Sequence, residues 1–133
     1  MTTNYVNTFI TASADSKAVK GTEPTRAGSI AQIQHSLLTA KPYHYTSDDL
    51  LFEVHAIRHG IAGKDRPQAR AEFFSRSQAC LRCSPLVKQF GWGLHHDERS
   101  RVAAYAVDTA DYSELVRREG MKIVAGMRSS KAR

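Results

Sequence analysis

The stretch "WGLHHDERSRVAAYAV", at residues 92–107, decides the fold class. Trp92–His96 and Arg101–Val107 are short runs rich in apolar residues, and the polar segment Asp97–Ser100 between them is typical of a β-hairpin turn. The helix patterns elsewhere do not alternate with strands as repeated βαβ units. The hairpin therefore predicts an α+β fold, in which about four helices pack on a mainly antiparallel sheet. We expect one domain over residues 1–133.

Helix-start signals are frequent along the rest of the chain. A Ser, Thr or Asp side chain at such a position accepts one of the free amide hydrogens of the first helical turn. The candidate starts are Ser29, Thr46 or Ser47, Asp65, Ser84, and Asp108 or Thr109. The start at Ser84, with Pro85 next to it, predicts only a short helix through Phe90 that Gly91 ends.

Apolar residues recur at helical spacing after the first three starts. The predicted core positions are Ile30, Ile33, Leu37 and Leu38 in the first helix, Leu50, Val54, Ile57 and Ile61 in the second, and Phe73 or Phe74 in the third. Pro42 and Gly60 stop the first two helices, because neither residue type favours continued helix.

The segments near the two chain ends are read from composition. "NYVNTFIT", residues 4–11, is rich in β-branched and aromatic residues and predicts a strand. Residues 12–28 are small and polar with several Gly and Pro residues, which predicts a long loop that serves as a lid or binding loop or is disordered. "MKIVAGM", residues 121–127, fits a strand or a helix equally well.

The composition indicates a soluble chain, since 41% of the residues are hydrophobic and no apolar run approaches the roughly 18 residues of a membrane helix. Residues 1–10 lack the basic and then apolar pattern of a secretory signal, so we expect a cytoplasmic protein. In that reducing compartment, two cysteines three positions apart are expected to be thiols, metal ligands or a transient redox pair rather than a structural disulfide.

The net charge of +6 is concentrated at the C-terminal end. Residues 117–133 hold six basic residues and one acidic residue, whereas residues 1–116 are nearly neutral, with thirteen basic and twelve acidic residues. The candidate partner-binding residues there are Arg117, Arg118, Lys122 and Arg128, together with Lys131 and Arg133. Such an end can bind nucleic acid or an acidic partner, but basic ends also serve solubility alone.

The segment "CLRCSPLVKQFGWGLHH", residues 80–96, contains two cysteines and two histidines. Cys80 and Cys83 have a zinc-finger-like separation, but His95 and His96 are adjacent on a predicted strand and point to opposite faces. We therefore predict no metal site, and nothing else in the chain calls for a cofactor. A second pair, at residues 55 and 59, has the spacing that lets two histidines share a metal but lacks the glutamate of the metalloprotease motif, which favours a solvated helix flank.

A reactive thiol is the alternative that survives in this segment. Arg82 is adjacent in sequence and a helix start follows, and both features favour a thiolate, so Cys80 and Arg82 are the candidate catalytic residues. A buried, inert cysteine is the competing interpretation. Trp92, between two glycines, and His95 are the candidate ligand-binding residues, although an anchoring core tryptophan explains Trp92 equally simply.

Four segments together resemble a family of short bacterial proteins that is catalogued only as a domain of unknown function. They are "TNYVNTFI", "YTSDDLLFEVHAIR", "SPLVKQFGWGLH" and "GMRSSKAR", and they span nearly the whole chain. The resemblance implies a retained cysteine at Cys80 and a frequent serine at the position of Cys83, which argues against any mechanism that needs Cys83. It implies no activity, substrate or cofactor.

Two functions therefore remain open. The first is a small-molecule-binding protein or enzyme whose site lies between the helices and the sheet, with the candidate thiol and the 12–28 loop as cover. The second is an interaction module that binds nucleic acid or an acidic partner through its basic end. No phosphate-binding loop, dinucleotide motif or nucleophile elbow is present, which disfavours a nucleotide enzyme of known type.

Overall fold

One sheet contains four strands, β1 (Thr8–Thr11), β2 (Trp92–His96), β3 (Val102–Ala106) and β4 (Lys122–Ala125). The computed structural model describes residues 2–129, and in it the strands are ordered β3-β2-β1-β4. β2 pairs antiparallel with both β1 and β3, and β4 pairs parallel with β1. The predicted hairpin and the α+β class are confirmed, and the sheet is mixed rather than purely antiparallel.

Five helices lie in the described part of the chain: α1 (Ile30–Ala40), α2 (Ser47–Arg58), α3 (Arg66–Phe74), α4 (Pro85–Lys88) and α5 (Ala110–Arg117). Side chains cap four of them as predicted, and the capping residues are Ser29, Thr46, Ser84 and Thr109. The third helix starts after Asp65 with Pro67 in its first turn, as predicted, but the capping prediction is wrong, because the Asp65 side chain makes no capping hydrogen bond. Over residues 2–129, no helix has the length and apolar character needed to cross a membrane.

The two faces of the sheet pack against different helices. The α1 face, which carries Ile10 and Leu94, joins α1, α2 and α4 in one buried apolar cluster. The α5 face carries the alternate residues Phe9 and Gly93, and a Cβ on Gly93 would lie 2.4 Å from Phe9 Cζ and 2.7 Å from Tyr112 Cε2 of α5. Because side chains alternate along a strand, each face has its own set of residues.

The strand predicted at residues 4–11 is wrong in its length, since β1 begins only at Thr8. Asn7 has a φ of 47°, which breaks the extended backbone ahead of the strand. The preceding residues are held at the start of α2, where Thr3 N donates to Asp48 Oδ1 at 2.7 Å and Asp48 N donates to Asn4 Oδ1 at 2.9 Å. The ambiguous "MKIVAGM" segment contains β4, whose pairing with β1 supplies the long-range contact that a local pattern lacks.

The core stripe predicted for α2 is only half right. Leu50 and Val54 are buried, but Ile57 is 44% exposed and Phe52 is buried instead. The reason is α3, which packs against α2 through Phe52 and Phe73, whose ring centroids lie 5.9 Å apart. Two neighbours thus cover α2, so its buried surface is wider than one apolar stripe. Phe73 itself is half-buried, and α3 has no fully buried residue.

Residues 12–28 form no helix or strand, in agreement with the predicted loop, and they are held by hydrogen bonds. Ser13 N donates to Val87 O at 2.8 Å, and Thr22 N donates to Phe90 O at 2.9 Å. The loop also passes Gly91, whose φ of 78° is a left-handed conformation that favours glycine. A Cβ there would lie 2.3 Å from Lys20 O, so the glycine permits the close approach of the two backbones.

Candidate functional site

A cavity of about 270 Å³ lies between α1, α2, the end of α3 and the segment from residue 78 to residue 85. One stripe of α2 forms its first wall and consists of Leu51, Val54, His55 and Arg58. These residues follow the i, i+3, i+4, i+7 spacing of a single helix face. The cavity is therefore built on the side of α2 next to its buried core residues.

Both cysteines line the opposite wall of this cavity, and both are free thiols. A single 3-10 turn at Leu81–Cys83 joins them, with Cys83 N donating to Cys80 O at 3.0 Å. Leu81 is buried and anchors the turn in the core. The segment that sequence patterns single out thus contributes to the wall of a concave site, and the helix that follows begins two residues after Cys83, at Pro85.

The Cys80 thiol contacts a phenol from the start of the chain, with Tyr5 Oη 3.2 Å from Cys80 Sγ. Burial raises the pKa of Tyr5 to about 12, and the neighbouring Cys80 adds to the rise. The phenol is therefore protonated at neutral pH and able to donate to sulfur. Arg82 does not line the cavity; its Nε donates to Ala125 O of β4 at 2.7 Å.

His55 of α2 and His59, which follows the last residue of that helix, line the same cavity as the cysteines. The His55 and His59 ring centroids lie 4.4 Å apart, and the His55 ring lies 4.6 Å from that of Phe73. Burial lowers the pKa of His55 and the adjacent His59 lowers it further, so His55 is neutral at pH 7. The solvated flank predicted for this pair is right for His59, which is exposed, and wrong for His55, which is half-buried against an aromatic ring.

Within the part of the chain that the structure describes, no three His, Cys, Asp or Glu side chains are grouped so that they could hold a metal ion. His95 and His96 lie on opposite faces of the sheet, as their adjacency on β2 predicts.

A buried amide, which sequence patterns did not single out, completes the cavity wall. Gln34 of α1 is only 2% exposed, and its Oε1 accepts a hydrogen bond of 2.6 Å from Ser84 Oγ. Among residues 2–129, Gln34 Nε2 has no hydrogen-bond partner. The available signal is the position of Gln34, since a glutamine between Ile30 and Leu38 interrupts the apolar stripe of α1.

A second cavity, of about 470 Å³, adjoins the first. The two share Ile30, Arg58 and Pro85 in their walls, and the 12–28 loop contributes residues such as Arg26 to the second. The predicted role of this loop as cover is therefore compatible with its position. No described Asp or Glu lines either cavity.

Trp92 lies apart from this site. Its Nε1 donates to Thr22 O of the 12–28 loop at 2.9 Å, and its ring packs edge-on against His35 of α1 at 4.9 Å between centroids. These contacts are those of an anchoring tryptophan, which ties the loop to the sheet.

His95 lies on the α5 face, within a network of hydrogen bonds between side chains. Tyr43 Oη is 2.7 Å from both His95 Nδ1 and Tyr105 Oη. Tyr43 has a φ of 58°, a conformation that is unusual for a bulky residue and that the hydrogen bonds help to hold. Burial lowers the pKa of His95, and the charge of Arg118 lowers it further. Of the four predicted site residues, only Cys80 lines the first cavity.

His96, the next residue, is fully buried on the α1 face. Its ring meets that of Tyr5 edge-on at 5.3 Å between centroids, and its Nδ1 lies 3.2 Å from Leu94 O. Over residues 2–129, His96 Nε2 has no hydrogen-bond partner. Burial lowers the pKa of His96 to about 4, so the ring is neutral at physiological pH.

The basic residues near the C-terminus lie on α5, on β4 and beyond it. Arg118 forms a bidentate ion pair with Glu114, which offsets part of its charge. Arg117, Lys122 and Arg128 are exposed. Lys131 and Arg133 lie outside the described residues. Binding of nucleic acid or of an acidic partner by this end stays a prediction.

Comparison with known proteins assigns a family. Residues 1–132 match DUF6157, a family of unknown function. The chain belongs to DUF6157. No curated protein and no solved structure matches it. The resemblance to a domain of unknown function is thus confirmed, and DUF6157 membership leaves the activity to be argued from the site.

Proposed function

We propose that this protein is a small-molecule-binding domain whose site is the 270 Å³ cavity between α1, α2, α3 and the Cys80–Pro85 segment. The observation that carries the proposal is the convergence of Gln34, His55 and Cys80 on this one cavity from three distant parts of the sequence. Sites for small molecules are concave and mostly apolar, with a few polar groups that orient the ligand. The cavity has this composition, because leucine, valine and phenylalanine side chains surround its polar groups.

Cys80 is the reactive group that this proposal places in the wall of the site. A thiol reacts as a nucleophile in its deprotonated form, and a phenol beside it can donate a hydrogen bond to the sulfur. Tyr5 is in contact with the sulfur and is protonated at neutral pH, as that role requires. Arg82 has no part in this proposal, since its side chain donates to Ala125 O of β4.

A disulfide-capture screen tests the proposal. The Cys83→Ser variant retains Cys80 as its single thiol and is equilibrated with a library of small disulfides under mild reduction, with intact mass spectrometry as the readout. We expect a small subset of apolar fragments to be captured far above the rest, because binding in the cavity adds to the covalent exchange.

The comparison variant carries Ser36→Cys, at an exposed site on α1, with both native cysteines changed to serine. It should capture fragments without preference. Ala79→Trp, at the exposed rim of the cavity, should abolish the preference of Cys80, whereas Ala71→Trp, exposed on α3 outside the cavity, should keep it. A Cys80 that captures nothing, or that shows the same pattern as the exposed cysteine, overturns the proposal.

A further inference from the structure

The charge of the cavity walls carries information about the ligand. Arg58 lines both adjoining cavities and Arg26 lines the second, while none of the described Asp and Glu residues lines either one. The walls of the two adjoining cavities therefore carry basic side chains and, among the described residues, no acidic ones. Such a space favours a ligand that carries negative charge, because a cationic ligand would meet repulsion without a compensating carboxylate.

The two arginines of α3 are paired with carboxylates of α2. Arg66 pairs with Glu53 at 2.7 Å, and Arg70 pairs with Asp49 at 3.0 Å. Across residues 2–129, no carboxylate pairs with Arg58. Contacts between α2 and α3 thus neutralise Arg66 and Arg70, which lie outside the cavity, and leave Arg58 in its wall available to a ligand.

Gln34 adds a neutral donor to the same cavity. Its side chain is buried, its Oε1 is engaged by Ser84, and its Nε2 has no partner within the described residues. This nitrogen is not among the fully buried atoms that lack a partner, so it is accessible and can donate to a ligand oxygen in the cavity. Arg58 and Gln34 together supply a charged donor and a neutral donor, which matches the two oxygens of a carboxylate.

The rest of the cavity limits the body of the ligand. Leu51, Val54 and Phe73 present apolar surface, and the volume of about 270 Å³ lies just below the range of roughly 300–1,000 Å³ that is usual for drug-sized ligands. A body of one aromatic ring or one short branched chain suits this space. A phosphate dianion does not, because one arginine does not offset the cost of bringing two charges among apolar walls.

We propose that the ligand class of this cavity is a small apolar monocarboxylate, with Arg58 as the residue that binds its carboxylate and Gln34 as the neutral donor. This inference rests on the proposed small-molecule function and specifies it. The apolar body lies against the α2 stripe, next to the thiol of Cys80.

The test compares two probes that differ only in charge, 3-phenylpropionate and 3-phenylpropanamide. Each is titrated into the ¹⁵N-labelled full chain at pH 7 and constant ionic strength, and amide shifts of residues in the cavity walls are followed. We expect the carboxylate to bind at least about 10-fold more tightly than the amide. Arg58→Gln should abolish this preference, and Arg99→Gln, at an exposed site in the β2–β3 turn, should preserve it.

Each outcome separates the two proposals. Equal binding of both probes in the cavity, or a carboxylate preference that survives Arg58→Gln, overturns the carboxylate inference and leaves the small-molecule function standing. No shifts of cavity residues with either probe at millimolar concentration, combined with an unselective disulfide screen, overturns both. A Gln34→Leu variant that binds the carboxylate as tightly as the wild type removes Gln34 from the assignment.

Discussion

His95 and His96 are adjacent in sequence and occupy opposite kinds of environment. On the α5 face, the imidazole of His95 is bound by Tyr43, which also binds Tyr105. On the α1 face, His96 is fully buried and its Nε2 lacks a partner among residues 2–129. One residue of sequence separates a hydrogen-bonded network from a polar atom in an apolar core.

The difference between the faces indicates where this protein can accept a ligand. On the α5 face, the described hydrogen bonds of Tyr43 join polar groups to one another, which favours a role in the fold. Among the described residues, the α1 side contains a buried nitrogen of His96 without a partner, the amide of Gln34, a pair of thiols and an arginine that pairs with no carboxylate. A ligand that bonds to such groups gains binding free energy, because it forms hydrogen bonds that the protein alone leaves unmade.

The largest expected effect concerns His96 and acid. Its pKa of about 4 in the folded protein is below the 6.5 of a free histidine, so the unfolded chain binds more protons between these values. The free energy of unfolding is therefore not reduced by this histidine above pH 6.5, and it falls as the pH falls toward 4. We expect His96 to lower the wild-type free energy of unfolding by about 3 kcal/mol between pH 7 and pH 4. Urea denaturation at the two pH values measures this change.

His96→Leu removes the buried imidazole at similar size and should remove that share of the acid dependence. His44→Leu, at an exposed histidine between α1 and α2, should leave it unchanged. If His96→Leu loses as much stability in acid as the wild type does, the buried histidine is not the cause.

An intermediate effect is expected from breaking the network on the α5 face. Tyr43→Phe leaves His95 Nδ1 without its partner inside the protein and should cost about 1–2 kcal/mol at pH 7, as measured by urea denaturation. Tyr105→Phe keeps the bond between Tyr43 and His95 and should cost less. Equal costs for the two variants would show that the histidine contributes nothing to this network.

The smallest effect is expected at the basic end. Replacing Arg117, Arg118 and Lys122 by glutamine changes exposed side chains, so the melting temperature at 0.15 M salt should hardly change. Fluorescence anisotropy with a labelled 20-nucleotide RNA should give the same result for the wild type and for this triple variant. Tight binding that falls steeply with salt and is lost in the triple variant would favour the interaction module instead.

Helix starts were predictable from sequence because capping is local. Ser29, Thr46, Ser84 and Thr109 each accept a hydrogen bond from an amide two or three positions away. β4 was not predictable, because its conformation depends on a parallel pairing with β1 that joins Thr8 to Lys122. The core stripe of α2 was misjudged for the same reason, since α3 covers Phe52 from outside the stripe.

The site shows the same division between local and distant information. Cys80 was singled out because its own segment is unusual, and it does line the cavity. Arg82 was predicted from sequence adjacency to act on the thiol, but its side chain reaches β4 instead. Gln34 and Arg58 carry no motif, and their role depends on helices that approach each other only in the folded chain. A search for polar residues inside apolar helix stripes would have found Gln34.

The hydrogen bond from Arg82 to Ala125 has a consequence for self-association. β4 is at the edge of the sheet, and Lys122 N and Gly126 N bind the β1 side, so Ala125 O points away from the sheet. An outward carbonyl on an edge strand is a template for another chain, and the exposed Ile123 beside it would add apolar contact. Arg82 occupies that carbonyl with a charged side chain, and so protects this short strand from pairing with a second molecule.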